Sequence, residues 1–170
     1  MVRDEFPNIL LGSGILTKGK WQSSQGDFLH LSQNGRIGSL NSYDAIDCKM
    51  FMEIKSKATK GEFDLLEQHA LEIKAQNSSI KVGMFCYATS AKELTVLKNQ
   101  GFKYDKTIMA YDMYDGKHDK CPNIDFLYCL NYSDEGDTLS YFVYREYTGN
   151  KLLFKDSPVI NYFFNMLRQI

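Results

Sequence analysis

Residues 48–76 read CKMFMEIKSKATKGEFDLLEQHALEIKAQ, and this stretch decides the fold. Its first part alternates with a period of two, which is typical of a β-strand. One predicted face is apolar, and the other carries two opposite charges beside an aromatic ring: Met50, Met52 and Ile54 on the first, Phe51, Glu53 and Lys55 on the second. The pattern therefore predicts a strand that presents a carboxylate and an ammonium group on the same side.

A helix is predicted directly after this strand. Thr59 and Glu62 form a T-x-x-E capping box, in which each residue satisfies a main-chain N–H of the other. Four apolar residues follow at helical spacing: Phe63, Leu66, Ala70 and Ile73. The sequence thus places the charged face of a strand immediately before an amphipathic helix.

The remaining segments predict further strands and helices. Strands are expected at 8–17, from Asp27 onward and at 80–88, with a polar loop at 18–26. Ser90 and Glu93 form a second capping box, for a helix that ends at Gly101. Strands at 107–113, 124–132, 139–147 and 151–154 and a terminal helix opened by Ser157 and Pro158 complete the chain. We expect one α/β domain over 1–170, with a mixed central sheet flanked by helices, additional C-terminal strands and a terminal helix.

Composition narrows the class of protein. The chain has 170 residues, of which 44% are hydrophobic, and a net charge of -1, which indicates a single folded domain. The uncharged runs are much shorter than the roughly 20 apolar residues of a membrane-spanning helix. The N-terminal sequence MVRDEFPN lacks the basic and apolar regions of a secretory signal. The four cysteines include no C-x-x-C pair, so reduced thiols and a cytoplasmic location are predicted.

Three side chains form a candidate catalytic group. Glu53 and Lys55 are two positions apart on a strand, so their side chains point the same way about 7 Å apart. Asp27 heads an earlier strand, and pairing of the two strands would bring its carboxylate beside Glu53. Two carboxylates and the backbone carbonyl of Ile54 make an oxygen site for Mg²⁺ or Mn²⁺. Lys55 would then position the attacking water or stabilise developing charge, as phosphodiester hydrolysis requires.

Other interpretations of these residues stay open. An E-x-K sequence on a strand is by itself compatible with a simple exposed ion pair. Asp44 or Asp47 is an alternative to Asp27 as the first carboxylate. Gln25 is a candidate contact to a phosphate or a metal-bound water, although a Gln near the start of a strand also commonly bonds backbone groups. Gln68 falls on the polar side of the predicted helix, where simple exposure is expected.

The spacing of these residues resembles a known superfamily. The pattern comprises Gly12, Gly14, Gly19, Gln22, Ser23, Gln25 and Asp27, and then Glu53, Ile54, Lys55 and Ser56. It is similar to a family of bacterial nuclease-like domains with a Q-S-x-Q-x-D and E-x-K-S pattern, within the PD-(D/E)xK nuclease-like superfamily. The similarity runs over residues 3–88 and more weakly to the terminal helix.

The resemblance has consequences for fold and function. It implies a restriction-endonuclease-like core and a metal-dependent nuclease that acts on DNA or RNA, in bacterial or phage defence. Asp27, Glu53 and Lys55 would occupy the catalytic positions. The superfamily places a helix before the first strand, and this sequence has few residues there, so a homo-oligomer or a partner chain is expected to cover the exposed sheet edge.

Several other signals are set aside. His118 and Cys121 have zinc-like spacing without a second pair of ligands. His30, His69 and His118 have no partnered serine or acid in the sequence, so no hydrolase triad is predicted. The aromatic run of 141–147 is interpreted as core. Two rival functions remain, which are a nuclease-fold binding module without catalysis and a structural partner subunit.

Overall fold

The computed structural model describes residues 10–32, 41–131, 140–155 and 158–170, without the side chains of residues 112 and 113. The described chain forms ten strands and three helices. The strands are β1 (Leu10–Lys18), β2 (Trp21–Leu31), β3 (Ser42–Asp44), β4 (Cys48–Ala58), β5 (Lys81–Thr89), β6 (Gln100–Asp105), β7 (Ala110–Asp119), β8 (Phe126–Cys129), β9 (Tyr141–Arg145) and β10 (Lys151–Lys155). The helices are α1 (Lys60–Gln76), α2 (Glu93–Asn99) and α3 (Val159–Gln169).

Eight strands form one mixed sheet in the order β10-β9-β8-β5-β4-β2-β1-β3, and β6 pairs with β7 in a separate two-stranded sheet. Strands β4, β5 and β8 run parallel at the centre. Strands β2 and β9 pair antiparallel with this central group. The predicted mixed sheet flanked by helices is confirmed. No helix in the described residues is long and apolar enough to cross a membrane.

Strand β4 separates two apolar cores, as its alternation predicts. Phe51 is fully buried in a cluster that includes Leu66 of α1. Met50 and Met52 belong to a second cluster with Phe163 of α3. Helices α1 and α3 therefore cover opposite faces of the sheet, and Glu53 shares the α1 face with Phe51 because residues two apart on a strand point the same way.

The predicted capping box at the start of α1 is present. The Glu62 N–H donates to the Thr59 side chain over 3.3 Å, and the Thr59 N–H donates to the Glu62 carboxylate over 2.7 Å. Strand β4 ends at Ala58, so Thr59 is the one residue between strand and helix. The cap therefore determines both where α1 begins and which of its residues face the sheet.

The predicted loop at 18–26 is wrong, because β2 already begins at Trp21. Lys18 pairs with Trp21 across a two-residue turn, in which Gly19 has a positive φ of 61°. Main-chain pairing with β1 does not require apolar side chains, so a polar sequence continues as a partly exposed strand. Residues 8 and 9 of the predicted first strand lie outside the described residues.

The second predicted capping box is also wrong. Helix α2 begins at Glu93 after Lys92, without a side-chain cap, and ends at Asn99 rather than Gly101. The Glu93 carboxylate instead accepts hydrogen bonds from the Tyr111 hydroxyl at 2.9 Å and Lys155 Nζ at 2.5 Å. Partners distant in sequence thus compete successfully for this carboxylate. Ser157, predicted to cap the terminal helix, lies outside the described residues.

The C-terminal strands are partly as predicted. Strands β8 and β9 lie within their expected ranges, and β10 ends one residue later than expected. The expected strand at 107–113 is correct only from residue 110 onward, because residues 106–109 form a turn between β6 and β7. Met109 adopts a positive φ of 49° in this turn. Strand β7 then continues to Asp119, six residues beyond the expected end.

A buried charge network joins β6 and β7 to the main sheet. Lys151 Nζ on β10 lies 2.9 Å from Asp119 Oδ2 and donates to Gln100 Oε1 over 2.6 Å. Arg145 Nη2 lies 3.0 Å from the same Asp119 oxygen. Burial lowers the pKa of Lys151, whereas Asp119 raises it. A charge withdrawn from water requires such partners, so β6, β7 and β10 are held as one unit.

Gly83 on β5 has no room for a side chain. A Cβ at this position would lie 2.4 Å from the Phe126 carbonyl oxygen and 2.5 Å from the Phe126 ring. We expect Gly83→Ala to lower the free energy of unfolding by about 1–3 kcal/mol through overpacking. Gly61→Ala is the matched control, because a Cβ at Gly61 in α1 meets no atom closer than 4.0 Å. Urea unfolding of both variants tests this, and equal stability of the two would contradict it.

Candidate active site

Strands β2 and β4 separate at the candidate site. Their pairing ends at Phe28 opposite Met52, and continuing the same register would place Asp27 opposite Glu53. At this point Asp27 Oδ2 accepts a hydrogen bond of 2.8 Å from the Ile54 main-chain N–H. The Asp27 carboxylate thus replaces the main-chain carbonyl that would otherwise accept this hydrogen bond. Its donor, Ile54, is the residue directly after Glu53.

The Glu53 carboxylate is buried between two side chains. Glu53 is 6% exposed. Its Oε2 lies 3.2 Å from Lys55 Nζ, and its Oε1 lies 3.2 Å from His69 Nδ1. Since a buried charge is costly without partners, these two contacts stabilise the carboxylate at this position. The expectation that Glu53 and Lys55 point the same way is therefore met, and each oxygen of Glu53 has a different partner.

His69 and Ser24 were missed by the sequence prediction. His69 lies on α1, and its Nδ1 is 3.0 Å from Ser24 Oγ on β2 as well as close to Glu53. The expectation that His69 lacks a partnered serine or acid is wrong. Helical periodicity carried a signal for this residue, because position 69 lies three residues after buried Leu66 and one before buried Ala70 on the sheet-facing side.

The two alternative carboxylates lie elsewhere. Asp44 is on β3, which the strands β1 and β2 separate from β4. Its Oδ1 accepts from the Ile46 N–H over 2.9 Å. The Asp47 carbonyl accepts from the N–H of Ser32, just beyond the end of β2 that is opposite to Asp27. Of the three aspartates, Asp27 is therefore the one whose carboxylate contacts the main chain next to Glu53.

The other candidate residues differ in their surroundings. Gln25 is exposed on β2 opposite Ile15, and its role stays a prediction. Gln68 is exposed, as expected. His30 is buried at 6% exposure and lies in a strand, which agrees with a packing role. His118 Nδ1 lies 2.7 Å from Asp115 Oδ2, and the Lys151 ammonium donates to the Cys121 carbonyl, so neither contact indicates a zinc site.

The candidate site offers few groups that could hold a metal ion. In the described residues, no cluster of three or more His, Cys, Asp or Glu side chains is arranged to hold a metal ion. The expected donor set has only two carboxylates and a main-chain oxygen, in keeping with the few protein ligands of Mg²⁺. The Ile54 N–H points toward Asp27. Because the N–H and C=O of one strand residue point to the same side, the Ile54 carbonyl faces that side too.

Comparisons with known proteins report on the fold. NucC of P. aeruginosa ATCC27853 in a cAAA-bound form aligns with a TM-score of 0.62 and 10% identity, over 98% of this chain and 73% of that chain. NucC of E. coli MS115-1 in its apo form gives 0.63 and 9%, over 98% and 78%. Its cAAA-bound form gives 0.63 and 10%, over 98% and 72%.

The shared fold is of the restriction-endonuclease type. Identities of 9–10% establish the fold alone. No family model matches the sequence. No curated protein sequence matches it either. The assignment of roles to Asp27, Glu53 and Lys55 therefore depends on the geometry of this chain and on the sequence pattern.

The bond from Ile54 to Asp27 can be tested by amide hydrogen exchange. Asp27→Ala removes the acceptor, and we expect exchange of the Ile54 amide to accelerate about tenfold, as loss of a hydrogen bond to a charged group predicts. Asp44→Ala is the control, because it should accelerate the Ile46 amide and leave Ile54 unchanged. An Ile54 rate that does not respond to Asp27→Ala would contradict the contact.

Proposed function

We propose that this chain is a metal-dependent nuclease that hydrolyses phosphodiester bonds of DNA or RNA. The observation that carries the proposal is the Asp27 carboxylate on the Ile54 N–H, beside the buried Glu53 and its partner Lys55. The restriction-endonuclease fold supports the same activity. Residues 1–170 would form one nuclease domain in the cytoplasm. A second copy or a partner chain at the sheet edge stays a prediction.

Each residue has a role in this proposal. Asp27, Glu53 and the Ile54 carbonyl would hold Mg²⁺ or Mn²⁺. The ion, when bound, supplies positive charge that polarises the scissile phosphate and makes water more acidic. Lys55 contacts Glu53, and its side chain as a whole is 29% exposed. It would stabilise the negative charge that develops on the phosphate oxygens. Exposed Gln25 would donate to a phosphate oxygen or orient water.

A role in bacterial or phage defence belongs to the same proposal. The sequence resemblance to bacterial nuclease-like domains implies such a role, and the likeness to NucC supports it. The cleavage assay described next shows whether DNA or RNA is the substrate. The rival function, a binding module that kept the fold without catalysis, predicts a different outcome of that assay.

Cleavage of mixed nucleic acids at increasing Mg²⁺ or Mn²⁺ tests the proposal. We expect Glu53→Gln and Lys55→Met each to lower the rate about 100-fold, because the first weakens the proposed metal site and the second removes positive charge beside the phosphate. Lys57→Met is the matched control, since Lys57 lies on the same strand and is exposed at the position after Ser56. Equal cleavage by all four proteins would indicate a contaminant. Retained nucleic-acid binding with no cleavage by wild type would favour the binding module.

Metal binding can be followed without substrate. A ligand that binds only the folded state raises Tm, so we expect Mn²⁺ to raise the Tm of wild type by a few degrees. Asp27→Asn should lose this increase, because it removes one of the two carboxylates. Asp44→Asn is the control and should keep it. The reverse result, in which Asp44→Asn loses the increase, would make Asp44 the ligand.

A further inference from the structure

We infer that His69 is a positioning residue of the proposed nuclease site, which orients the Glu53 carboxylate through Nδ1 and is itself held by Ser24. This inference rests on the proposed function. It extends that function, because the sequence pattern of the site contains neither residue. The observation behind it is one imidazole nitrogen within hydrogen-bond distance of two side chains from two different strands.

The three residues connect three elements. Ser24 lies on β2, His69 on α1 and Glu53 on β4. Leu66 and Ala70, which flank His69 on the inner side of α1, are fully buried. The helix therefore cannot turn about its axis without breaking apolar contacts, and the imidazole has a defined position relative to the sheet.

The direction of the hydrogen bond follows from the acceptor. An ionised carboxylate has no proton to donate, so a favourable contact of 3.2 Å requires that His69 Nδ1 carries the hydrogen. The N–H then points at Glu53 Oε1 and is shared with Ser24 Oγ at 3.0 Å. The opposite tautomer would direct a nitrogen lone pair at a carboxylate oxygen, which is repulsive.

Two partners fix a carboxylate better than one. Lys55 contacts Oε2 and His69 contacts Oε1, so rotation about the last side-chain bond of Glu53 breaks at least one contact. An ionised carboxylate has about four lone-pair sites, so two partners leave room for a further ligand. The arrangement therefore orients Glu53 without saturating it, as conserved supporting groups do at metal sites.

Packing alone does not explain a histidine at this position. The fully buried residues of α1 are all apolar: Leu66, Ala70 and Ile73. An apolar side chain at position 69 would extend that row, whereas the imidazole makes polar contacts to Ser24 and Glu53. The histidine is thus directed at the proposed site rather than at the core.

Three substitutions of His69 distinguish the effect of its Nδ1 contact to Glu53 from the effect of its side-chain shape. The amide nitrogen of asparagine lies where Nδ1 lies in histidine, and that of glutamine lies nearer the position of Nε2. We expect His69→Asn to keep most activity, and His69→Gln and His69→Leu to lower kcat about 10- to 100-fold and to raise the Mn²⁺ concentration for half-maximal activity by a similar factor. His118→Leu is the control, since exposed His118 contacts Asp115 and not Glu53.

Calorimetric titration with Mn²⁺ in the absence of substrate provides a second measurement. We expect the same order of affinity, with wild type and His69→Asn above His69→Gln and His69→Leu. Equal affinity and kcat in all His69 variants, or an equal loss in the Asn and Leu variants, would overturn the inference while the nuclease function stands. Affinity that depends on His69 without any cleavage by wild type would overturn the nuclease function and leave the positioning role. A wild type that neither binds Mn²⁺ nor cleaves would overturn both.

Discussion

The buried carboxylate of Glu53 is the constraint on which the site depends. A charge removed from water destabilises the fold unless partners replace the solvent. Those partners come from β4 itself through Lys55 and from α1 through His69. The position of α1 on the sheet thus determines whether Glu53 has its second partner. Ser24 of β2 contacts the same His69 nitrogen.

The rest of the fold makes this placement rigid. One apolar core lies between α1 and the sheet, and a second lies under α3 on the opposite face. Strand β4 contributes side chains to both cores, so it is packed on both faces of the sheet. At its far end the strand separates from β2, and Asp27 accepts the main-chain N–H that the separation would leave unpaired. The two strands thus diverge at a point inside the sheet rather than at its edge.

Sequence patterns predicted the elements whose causes are local. The alternation of 48–55 and the Thr59 capping box depend on neighbouring residues, and both are present. The failed cap at Glu93 depends on partners far along the chain, namely Tyr111 and Lys155. The start of β2 depends on main-chain pairing with the neighbouring β1, which the pattern of apolar and polar side chains does not reveal.

The candidate site divides in the same way. The common direction of Glu53 and Lys55 follows from a period of two, and their contact agrees with it. That Asp27 would lie near Glu53 followed from the assumption that their strands pair, which is correct as far as Phe28, the residue after Asp27. To predict the contact of His69, one must know how α1 is oriented about its axis on the sheet. A single sequence indicates that orientation only through helical periodicity.

The one-residue joint between β4 and α1 limits how this chain can vary in length. An α-helix has 3.6 residues per turn, so inserting or deleting one residue at Thr59 would rotate every side chain of α1 by about 100°. His69 would leave Glu53, and Leu66 would leave the core, in the same event. Length changes are consequently tolerated only in other connections, and the interval of 16 residues between Glu53 and His69 is a fixed dimension of the molecule.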